Sequence, residues 1–485
     1  MPLHHVRAEA NTADVIIIGG GFTGAVAALN LADHSTRPLN ITVVEPEEKV
    51  GLGVAYGTTD PDHRLNGASA VHLVSLSDPG HFTRWLVESG AVDRDPESRF
   101  GAAIFPSRSE FGAFIHGEVS AAIADGRSGS QITHRRDRAS NIDPSGDGVR
   151  VHLGSGEVID AGLAVLTTSN APPAVPAGAQ SLATAQNFVR DPWAPDALSA
   201  LPETGRVLII GMGLTMADVV VSIRRDRPNL DIVAVSRRGL LSTSRGATAA
   251  SSVSIADRLA IQPPTFVARN GHVETVRGLL RAVRAHAAKL EAEGGSWHAA
   301  FDELRDAANV VWPQLSRTEQ ARFVRHVWPY YEVHRFRFAP QTERVIADAL
   351  QDGMLALEAA RILGGRETSV GLEVSRRRRA NGREVTEMFD AVINCTGPER
   401  KPRASGDPLL ADLVDRGVVV PDPNQLGLIV DGSFCAIDSS GRANPRVRIV
   451  GPLARGYFGE CSSSPFIVAR FTEALPSMFE VLDSE

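Results

Sequence analysis

Cysteine is scarce in this chain: Cys395, Cys435 and Cys461 are the three cysteines among 485 residues. No two of them have the spacing of a redox dithiol or a zinc knuckle, which disfavours a disulfide reductase. His326 and His334 likewise lack the spacing of a zinc-binding pair. We therefore expect no metal site.

Long apolar runs and a basic excess are also absent. No stretch approaches the ~18 apolar residues of a membrane span, and the N-terminus, MPLHHVRAEANTAD, lacks the apolar core of a secretory signal. The net charge of −7 does not fit a nucleic-acid binder, and the run Arg376–Arg379 precedes the hairpin turn ANG, so it is interpreted as a solvated turn. These absences predict a cytoplasmic protein without nucleic-acid or membrane partners, and the length allows two or three domains.

A first nucleotide-binding turn is predicted within VIIIGGGFTGAVAAL, where a buried strand meets a helix. Gly19, Gly21 and Gly24 form G-x-G-x-x-G, which permits the tight turn, the approach of a pyrophosphate, and close helix–strand packing. The helix N-terminus would supply N–H groups to the phosphates. The next strand ends at Glu45, 21 residues after Gly24, where a carboxylate holds ribose hydroxyls and repels a 2′-phosphate. This site should take FAD or NAD.

The stretch after Glu45 is too long and too rich in glycine for an ordinary connection. Gly51 and Gly53 would leave room for the backbone to approach a ligand, and Tyr56 and Asn66 could reach it.

A second turn is predicted within VLIIGMGLTMADVVV, with Gly211 and Gly213. Met216 replaces the third glycine, a change tolerated where NADP binds. The following strand ends without an acid, in Ser236-Arg237-Arg238. Adjacent guanidiniums suit a 2′-phosphate, although two solvated surface arginines remain the alternative. The pattern favours NADPH over NADH.

The two halves repeat each other after these turns. Each continues into a meander of short strands and closes on a buried strand that ends in polar residues, Thr167–Asn170 in the first half and Asn394–Gly397 in the second. The fold class is therefore α/β, with two Rossmann-like dinucleotide-binding domains, the second inserted in the first.

Strand signals vanish between about 256 and 350, where helical periodicity predicts an insert that could cap a substrate cavity. One of its predicted helices spans RTEQARFVRHVWPYYEVHRF. Within the insert, RHVWPYYEVHRFRF concentrates aromatic and cationic residues. One interpretation is a packed helix whose cations face solvent. The other is an anion-binding wall for a carboxylate substrate, formed by His334, Arg335 and Arg337.

With these residues in place, the chain resembles flavoproteins with two dinucleotide-binding domains, in the group marked by GxGVAY and a downstream LN. Here these motifs are GLGVAY (Gly51–Tyr56) and RLNGAS (Arg64–Ser69), and the similarity extends to VGPLARGYFGE near the C-terminus. The layout is most similar to NADPH-dependent flavin monooxygenases, including N-hydroxylating ones. NFVRDPWAP matches their fingerprint at Phe188 and Trp193 but lacks its glycine and histidine, which disfavours Baeyer–Villiger chemistry.

The resemblance implies FAD in the first domain and NADPH in the second. It also implies that Gly451, Pro452 and Gly456 approach the flavin, and that Ser462–Ser464 open the last helix with N-cap chemistry. Cys461 is expected to be a buried bystander. The predicted domains are a FAD-binding domain (1–180 and 399–485), an NADPH-binding domain (196–255 and 351–398) and a helical insert (256–350).

The resulting hypothesis is a monooxygenase that passes one oxygen atom, through a flavin hydroperoxide, to a small nucleophilic substrate such as an amino acid or amine. Alternatives are an NAD(P)H:acceptor oxidoreductase without oxygen insertion and a non-enzymatic FAD-binding redox sensor. Asn66 is the candidate catalytic contact, O₂ and a small molecule are the expected partners, and the oligomeric state stays open. The predicted cofactor-binding residues are Gly19, Gly21, Phe22, Thr23, Gly24, Glu45, Gly53, Val54, Ala55, Tyr56, Asn66, Gly211, Gly213, Leu214, Thr215, Ser236, Arg237, Arg238, Gly397, Gly451 and Pro452.

Overall fold

The computed structural model describes residues 12–168, 171–243 and 253–484. Ser169 and Asn170, which end the first predicted meander, lie outside the described residues, as does the N-terminal segment 1–11. No helix of the described part is both long and apolar enough to cross a membrane.

The β-structure of the described residues falls mainly into two large sheets. Its strands, in chain order, are β1 (Thr12–Ile18), β2 (Asn40–Val44), β3 (Arg99–Phe100), β4 (Ala103–Ile104), β5 (Gln131–Arg135), β6 (Ala139–Ser145), β7 (Gly148–Leu153), β8 (Val158–Leu166), β9 (Phe188–Val189), β10 (Thr204–Ile210), β11 (Asn229–Ser236), β12 (Leu355–Thr368), β13 (Gly371–Arg378), β14 (Glu384–Phe389), β15 (Ala391–Asn394), β16 (Cys435–Ile437) and β17 (Ala443–Ile449).

Helices cover the sheets and form a separate cluster between β11 and β12. In chain order they are α1 (Phe22–His34), α2 (Gly53–Tyr56), α3 (His81–Glu88), α4 (Ala91–Arg94), α5 (Arg108–Asp125), α6 (Leu214–Asp226), α7 (Ile255–Ala260), α8 (Thr265–Asn270), α9 (Val276–Ala292), α10 (His298–Asp306), α11 (Ala308–Gln314), α12 (Arg317–His326), α13 (Trp328–Arg335), α14 (Pro340–Gln351), α15 (Pro408–Asp415), α16 (Arg455–Phe458) and α17 (Ser464–Leu482).

The first sheet has the order β16-β17-β8-β1-β2-β5, and the hairpin β6-β7 joins it through β8. From β17 to β5 the neighbours are parallel. Residues Val15–Ile18 of β1 are buried, because helices such as α1 and α17 cover a parallel sheet and leave no wet face. A continuous apolar run, rather than an alternating one, is the result.

The second sheet has the order β14-β13-β12-β11-β10-β15-β9. Its parallel core, β15-β10-β11-β12, repeats the order β8-β1-β2-β5 of the first sheet. All its strands lie between Phe188 and Asn394, whereas the first sheet takes strands from both sides of that segment. The predicted fold class, two Rossmann-like units with the second inserted in the first, is confirmed.

The segment from Ile255 to Gln351 is helical, with α7–α14. The sequence predicted one helix across RTEQARFVRHVWPYYEVHRF, but the structure divides it at Val327 into α12 and α13. Pro329 explains the break, because it has no N–H to donate to the carbonyl of Arg325. That carbonyl instead accepts from Arg238 Nη2 at 3.2 Å, so the break links the insert to the end of β11.

The interpretation of Arg376–Arg379 as a solvated turn is wrong for Arg376. This residue lies in β13, is almost fully buried, and its guanidinium contacts Glu358 on β12 and Glu387 on β14 at 2.8 and 2.9 Å. Cross-strand carboxylates on both neighbouring strands neutralise it, which the local sequence does not reveal.

Candidate cofactor and substrate site

A cleft of about 4370 Å³ opens between the two sheets and the helical insert. This volume is several times the ~300–1,000 Å³ of a pocket for one drug-sized ligand. The second glycine turn, at the carboxyl end of β10, lines it directly. Ligands bind at the carboxyl ends of strands in open α/β sheets, so the cleft has the size and position for long nucleotides.

The first glycine turn is tightly packed at the carboxyl end of β1. Gly19 has φ +101°, a conformation that favours glycine. A Cβ on Gly24 would lie 2.0 Å from the carbonyl oxygen of Gly19, while a Cβ on Gly21 would lie 3.5 Å from Gly53 Cα. The turn thus closes on itself at Gly24 and meets the GLGVAY segment at Gly21. Phe22 and Thr23 are the buried first residues of α1.

Glu45 follows β2 directly, and local backbone groups hold its carboxylate in place. Oε2 accepts from the Gly20 N–H at 2.6 Å, and Oε1 accepts from the Glu47 N–H at 3.0 Å. The carboxylate therefore lies beside the glycine turn, where a ribose hydroxyl pair is expected. Its contact with a ribose stays a prediction.

The GLGVAY segment forms the short helix α2 at the edge of the cleft. The Gly51 N–H donates to the Gly20 carbonyl at 2.6 Å, which ties this segment to the first turn. Val54 and Ala55 are exposed and line the cleft. Tyr56 packs edge-on against Phe111 with ring centroids 4.8 Å apart, and burial raises the pKa of Tyr56 to about 12. Its phenol is therefore neutral at physiological pH.

Asn66 also lines the cleft and is half-buried. The structure places it on the same wall as α2, and its catalytic role stays a prediction.

The second turn, at the carboxyl end of β10, repeats the first except that Met216 replaces the third glycine. Gly211 has φ +116°, and a Cβ there would lie 2.1 Å from the Cys395 carbonyl oxygen. A Cβ on Gly213 would meet nothing within 4 Å, so its open side faces the cleft. Met216, in place of the third glycine, is fully buried in the core of the second sheet. Leu214 and Thr215 begin α6 at the cleft surface.

Arg237 and Arg238 follow β11 and line the cleft with Ser236. Arg237 is exposed, and in the described ranges neither arginine forms an ion pair with a carboxylate. Arg238 stacks over the ring of Tyr330 at 5.1 Å. Two guanidiniums without counter-charges are what a 2′-phosphate requires, and this assignment stays a prediction.

The three residues predicted to form an anion-binding wall have other partners. Arg335 Nε lies 2.7 Å from Glu460 Oε2, and Arg337 Nη2 lies 2.7 Å from Asp302 Oδ1. The ring of His334 stacks on Phe301, with centroids 4.8 Å apart. Both guanidiniums line the cleft but carry neutralising carboxylates, so the wall is far less positive than its sequence indicates.

The last helix does not begin with the expected side-chain cap. Ser463 is the N-cap of α17, but its hydroxyl makes no cap hydrogen bond. Its Oγ accepts instead from Arg335 Nη2 at 3.2 Å. The preceding Gly451 packs against Thr23, which a Cβ would approach to 2.9 Å. The C-terminal segment therefore reaches the first turn, and its approach to a flavin stays a prediction.

All three cysteines are buried and free of disulfides. Burial raises the pKa of Cys461 to about 12 and that of Cys435 to about 11, and it raises the pKa of Cys395 further. These thiols are protonated and poor nucleophiles, and the expectation of a buried Cys461 is confirmed. Across residues 12–168, 171–243 and 253–484 no group of three His, Cys, Asp or Glu side chains could hold a metal ion.

The cleft brings together most of the predicted site but not all of it. Gly19, Gly21, Phe22, Thr23, Gly24, Glu45, Gly451 and His334 lie outside its lining, whereas the predicted residues that line it are Gly53, Val54, Ala55, Tyr56, Asn66, Gly211, Gly213, Leu214, Thr215, Ser236, Arg237, Arg238, Gly397, Pro452, Arg335 and Arg337.

Sequence reasoning missed two polar groups at this site. One is the buried pair Arg108–Asp218, which joins α5 to α6. The other surrounds Arg455, which stacks on Trp328 at 4.3 Å. Arg455 lies within VGPLARGYFGE, between Pro452 and Gly456, which the resemblance implies approach the flavin. A single arginine in that glycine-containing loop was the signal by which the sequence could have indicated this group.

Comparisons with known proteins agree with this geometry. Residues 16–171 match a family model described as FAD-NAD(P)-binding, and no curated protein sequence matches the chain.

Solved structures match nearly the whole chain. Ornithine N-hydroxylase from Kutzneria sp. 744 is 17% identical with a TM-score of 0.63, covering 97% of this chain and 99% of that one. L-lysine 6-monooxygenase from Pseudomonas syringae is 16% identical with a TM-score of 0.59, covering 97% and 99%. The cadaverine monooxygenase from Erwinia amylovora is 12% identical with a TM-score of 0.58, covering 98% and 95%. At these identities the likeness establishes the shared fold.

Proposed function

We propose that this chain is an FAD-dependent, NADPH-using monooxygenase that hydroxylates a nitrogen nucleophile of a small amine or amino acid. The observation that carries the proposal is a cleft lined by the second glycine turn and by the GLGVAY helix, which the Gly51 N–H ties to the first turn, with opposite charges beside the two turns. Glu45 stands next to the first turn and Arg237 with Arg238 next to the second.

The residues present fit two different dinucleotides. A side chain at Gly24 would strike the Gly19 carbonyl and so open the first turn, and the open side of Gly213 leaves room for a pyrophosphate at the second. A carboxylate beside the first turn suits a free ribose, whereas guanidiniums that have no carboxylate partner among the described residues suit a 2′-phosphate beside the second. FAD in the first position and NADPH in the second satisfy both.

Bound flavin would supply hydride acceptance and oxygen activation. The chain itself would bind the two cofactors, orient the substrate and shield the reacting groups from water. Residues of the helical insert line one side of the cleft, where they would limit the entry of water, and Tyr56 stays protonated on the GLGVAY side. Asn66, on the cleft wall, is our candidate for a polar contact with the reacting groups.

The structural neighbours support nitrogen as the oxygenated atom. Their names describe enzymes that act on ornithine, lysine and cadaverine, all of which carry a primary amine. The proposal extends that chemistry to this chain, with O₂ and a small amine as reaction partners in the cytoplasm.

An acceptor oxidoreductase that works through cysteine is the less favoured function. The three thiols are buried and protonated, so a dithiol relay has no exposed thiolate to use.

The test combines three measurements on purified protein. We expect a bound flavin spectrum, NADPH oxidation that depends on a primary amine, and one hydroxylated amine formed per O₂ consumed. Glu45→Ala should lower the retained flavin while Glu47→Ala, its exposed neighbour, should not. NADPH oxidation that yields only peroxide with every amine offered would favour the acceptor oxidoreductase, and protein that cannot be loaded with FAD would refute the proposal.

A further inference from the structure

A cluster of charged residues lies where the helical insert meets the C-terminal segment. We call it the Trp328 cluster; besides that indole it comprises Arg335, Arg400, Arg455, Glu332 and Glu460. It contains three guanidiniums and two carboxylates, so one positive charge has no carboxylate in the cluster. Every member except Glu460 lines the cleft.

The two carboxylates are unequally engaged. Glu460 is almost fully buried and contacts Arg335 at 2.7 Å, and its Oε1 also accepts from the Ser462 hydroxyl at 2.9 Å. Glu332 lies 3.9 Å from Arg455 and 4.0 Å from Arg400. These last separations exceed hydrogen-bond length, so Glu332 balances charge without satisfying the donors of Arg455.

Arg455 combines two unsatisfied donors, within the described residues, with the lack of a close carboxylate: Glu332 lies 3.9 Å away, whereas Arg335 has Glu460 at 2.7 Å. Its side chain is 14% exposed, and both Nε and Nη2 are buried with no hydrogen-bond acceptor in the described part of the chain. The indole Nε1 of Trp328, on which Arg455 stacks, has none either. Buried N–H donors normally have acceptors, and leaving them unpaired costs about 1–3 kcal/mol each.

The geometry of these donors specifies a ligand. Nε and Nη2 lie on one edge of the guanidinium, the edge that binds both oxygens of a carboxylate in parallel. Stacking on Trp328 fixes the plane of the guanidinium, so that little conformational entropy is lost on binding.

We propose that Arg455 binds the carboxylate of the substrate, so that the enzyme takes an amino acid in preference to a simple amine. This inference rests on the proposed function, because it identifies which amine the same cleft accepts. It also transfers the anion-binding role from Arg335 and Arg337, whose carboxylate partners lie at 2.7 Å, to a residue whose nearest carboxylate lies 3.9 Å away.

The position of Arg455 suits a substrate contact. It follows Pro452 by three residues, in the loop whose Gly451 packs against the first turn. Arg335, another member of the cluster, reaches Ser463 at the start of α17. A carboxylate held here would lie at the boundary between the first domain and the insert, with the rest of the substrate in the cleft. Burial lowers the pKa of Arg455 although Glu460 and Glu332 oppose this. A bound anion would offset the cost of burying the charged guanidinium.

The experiment compares amino acids with amines that lack only the α-carboxylate: lysine with cadaverine, ornithine with putrescine, and aspartate with β-alanine. Binding to oxidised, FAD-loaded protein is measured by calorimetry, which needs no turnover. We expect the wild type to prefer the amino acid of at least one pair by 30-fold or more, on the order of a charge-assisted bidentate contact. Arg455→Gln should abolish that preference and change the affinity for the matching amine less than about threefold.

Two further variants keep the test decisive. Arg455→Lys retains the charge without the bidentate edge and should restore part of the preference. Arg403→Gln, which removes an exposed arginine paired with Asp415, should leave it unchanged. A wild type without a preference in any pair, or an Arg455→Gln variant that weakens NADPH binding instead, would overturn the inference. Protein that binds amino acids through Arg455 but consumes no oxygen would refute the proposed function alone.

Discussion

Arg108 and Asp218 form a buried ion pair between the two Rossmann-like units, with Nη2 2.8 Å from Oδ2. Arg108 begins α5 of the first domain, and Asp218 lies in the second turn of α6, just after the second glycine turn. Burial raises the pKa of Asp218, although Arg108 and His63 oppose this. Trp193 covers the guanidinium at 5.6 Å. The pair therefore fixes the second turn relative to the first domain.

Breaking this pair should be costly. Because one partner would be left as an unpaired buried charge, we expect Asp218→Asn and Arg108→Gln each to lower the free energy of unfolding by about 3 kcal/mol. The free energy of unfolding of the double variant should fall by clearly less than the sum of the two single losses, as measured by a double-mutant cycle in urea. Arg150→Gln, in an exposed pair with Asp160, should leave the free energy of unfolding nearly unchanged. Additive losses would show that the two groups do not interact.

The two glycine turns offer a matched pair of substitutions. Gly24→Ala should destabilise the first domain by several kcal/mol, about the upper range of overpacking, because its Cβ would lie 2.0 Å from the Gly19 carbonyl. Gly213→Ala should fold normally, since its Cβ meets nothing within 4 Å, but should raise the KM for NADPH about tenfold or more by blocking the pyrophosphate. Thermal unfolding and NADPH kinetics separate the two effects. Equal behaviour of the variants in both measurements would contradict the assigned roles.

Coenzyme choice should depend on the two arginines after β11. We expect Arg237→Ala/Arg238→Ala to raise the KM for NADPH about 100-fold, in line with the ~1.5–3 kcal/mol of a hydrogen bond to a charged group. The KM for NADH should change little. Arg224→Ala, which removes a guanidinium at the far end of α6 beside Asp352, serves as the control. A parallel loss with both coenzymes would mean that these arginines do not contact the 2′-phosphate.

The stability of the protein should depend on the ionisation of Asp60. Burial would raise the pKa of this carboxyl, but hydrogen bonds from Arg225 and Ser222 outweigh it and hold the pKa at about 2. Because this is below the unfolded value of 3.8, the ionised form stabilises the fold above pH 4, and the contribution disappears as the pH falls towards 2.

We therefore expect Asp60→Asn to lower the free energy of unfolding by about 2 kcal/mol at pH 7. The deficit should persist to about pH 5 and narrow below pH 4, as measured by urea unfolding of both proteins at each pH. Asp415→Asn, at an exposed ion pair with Arg403, should cost under about 1 kcal/mol at pH 7. A deficit at Asp60 that stays constant down to pH 3 would exclude the ionisation as its cause.

Local pattern was sufficient for the architecture. The glycine turn at Gly19 requires φ > 0 and a close approach at Gly24. Such constraints act between residues that are close in the sequence, so a short sequence motif is enough to predict them. The same holds for the buried run of β1 and for its repeat in β10. The break at Val327 was missed, because Pro329 was not weighed against the helical period around it.

The tertiary structure alone determines which carboxylates pair with which arginines. Arg335 meets Glu460 from a segment far along the chain, and Arg376 is neutralised from two neighbouring strands. A run of arginines in the sequence reports how many cations there are but not which carboxylates face them. Arg455 is the converse case, since folding buries it beside Trp328, and none of the described residues brings an acceptor to its Nε and Nη2. Burial and counter-charges depend on residues distant in sequence, because Coulomb and solvation energies follow distance in space.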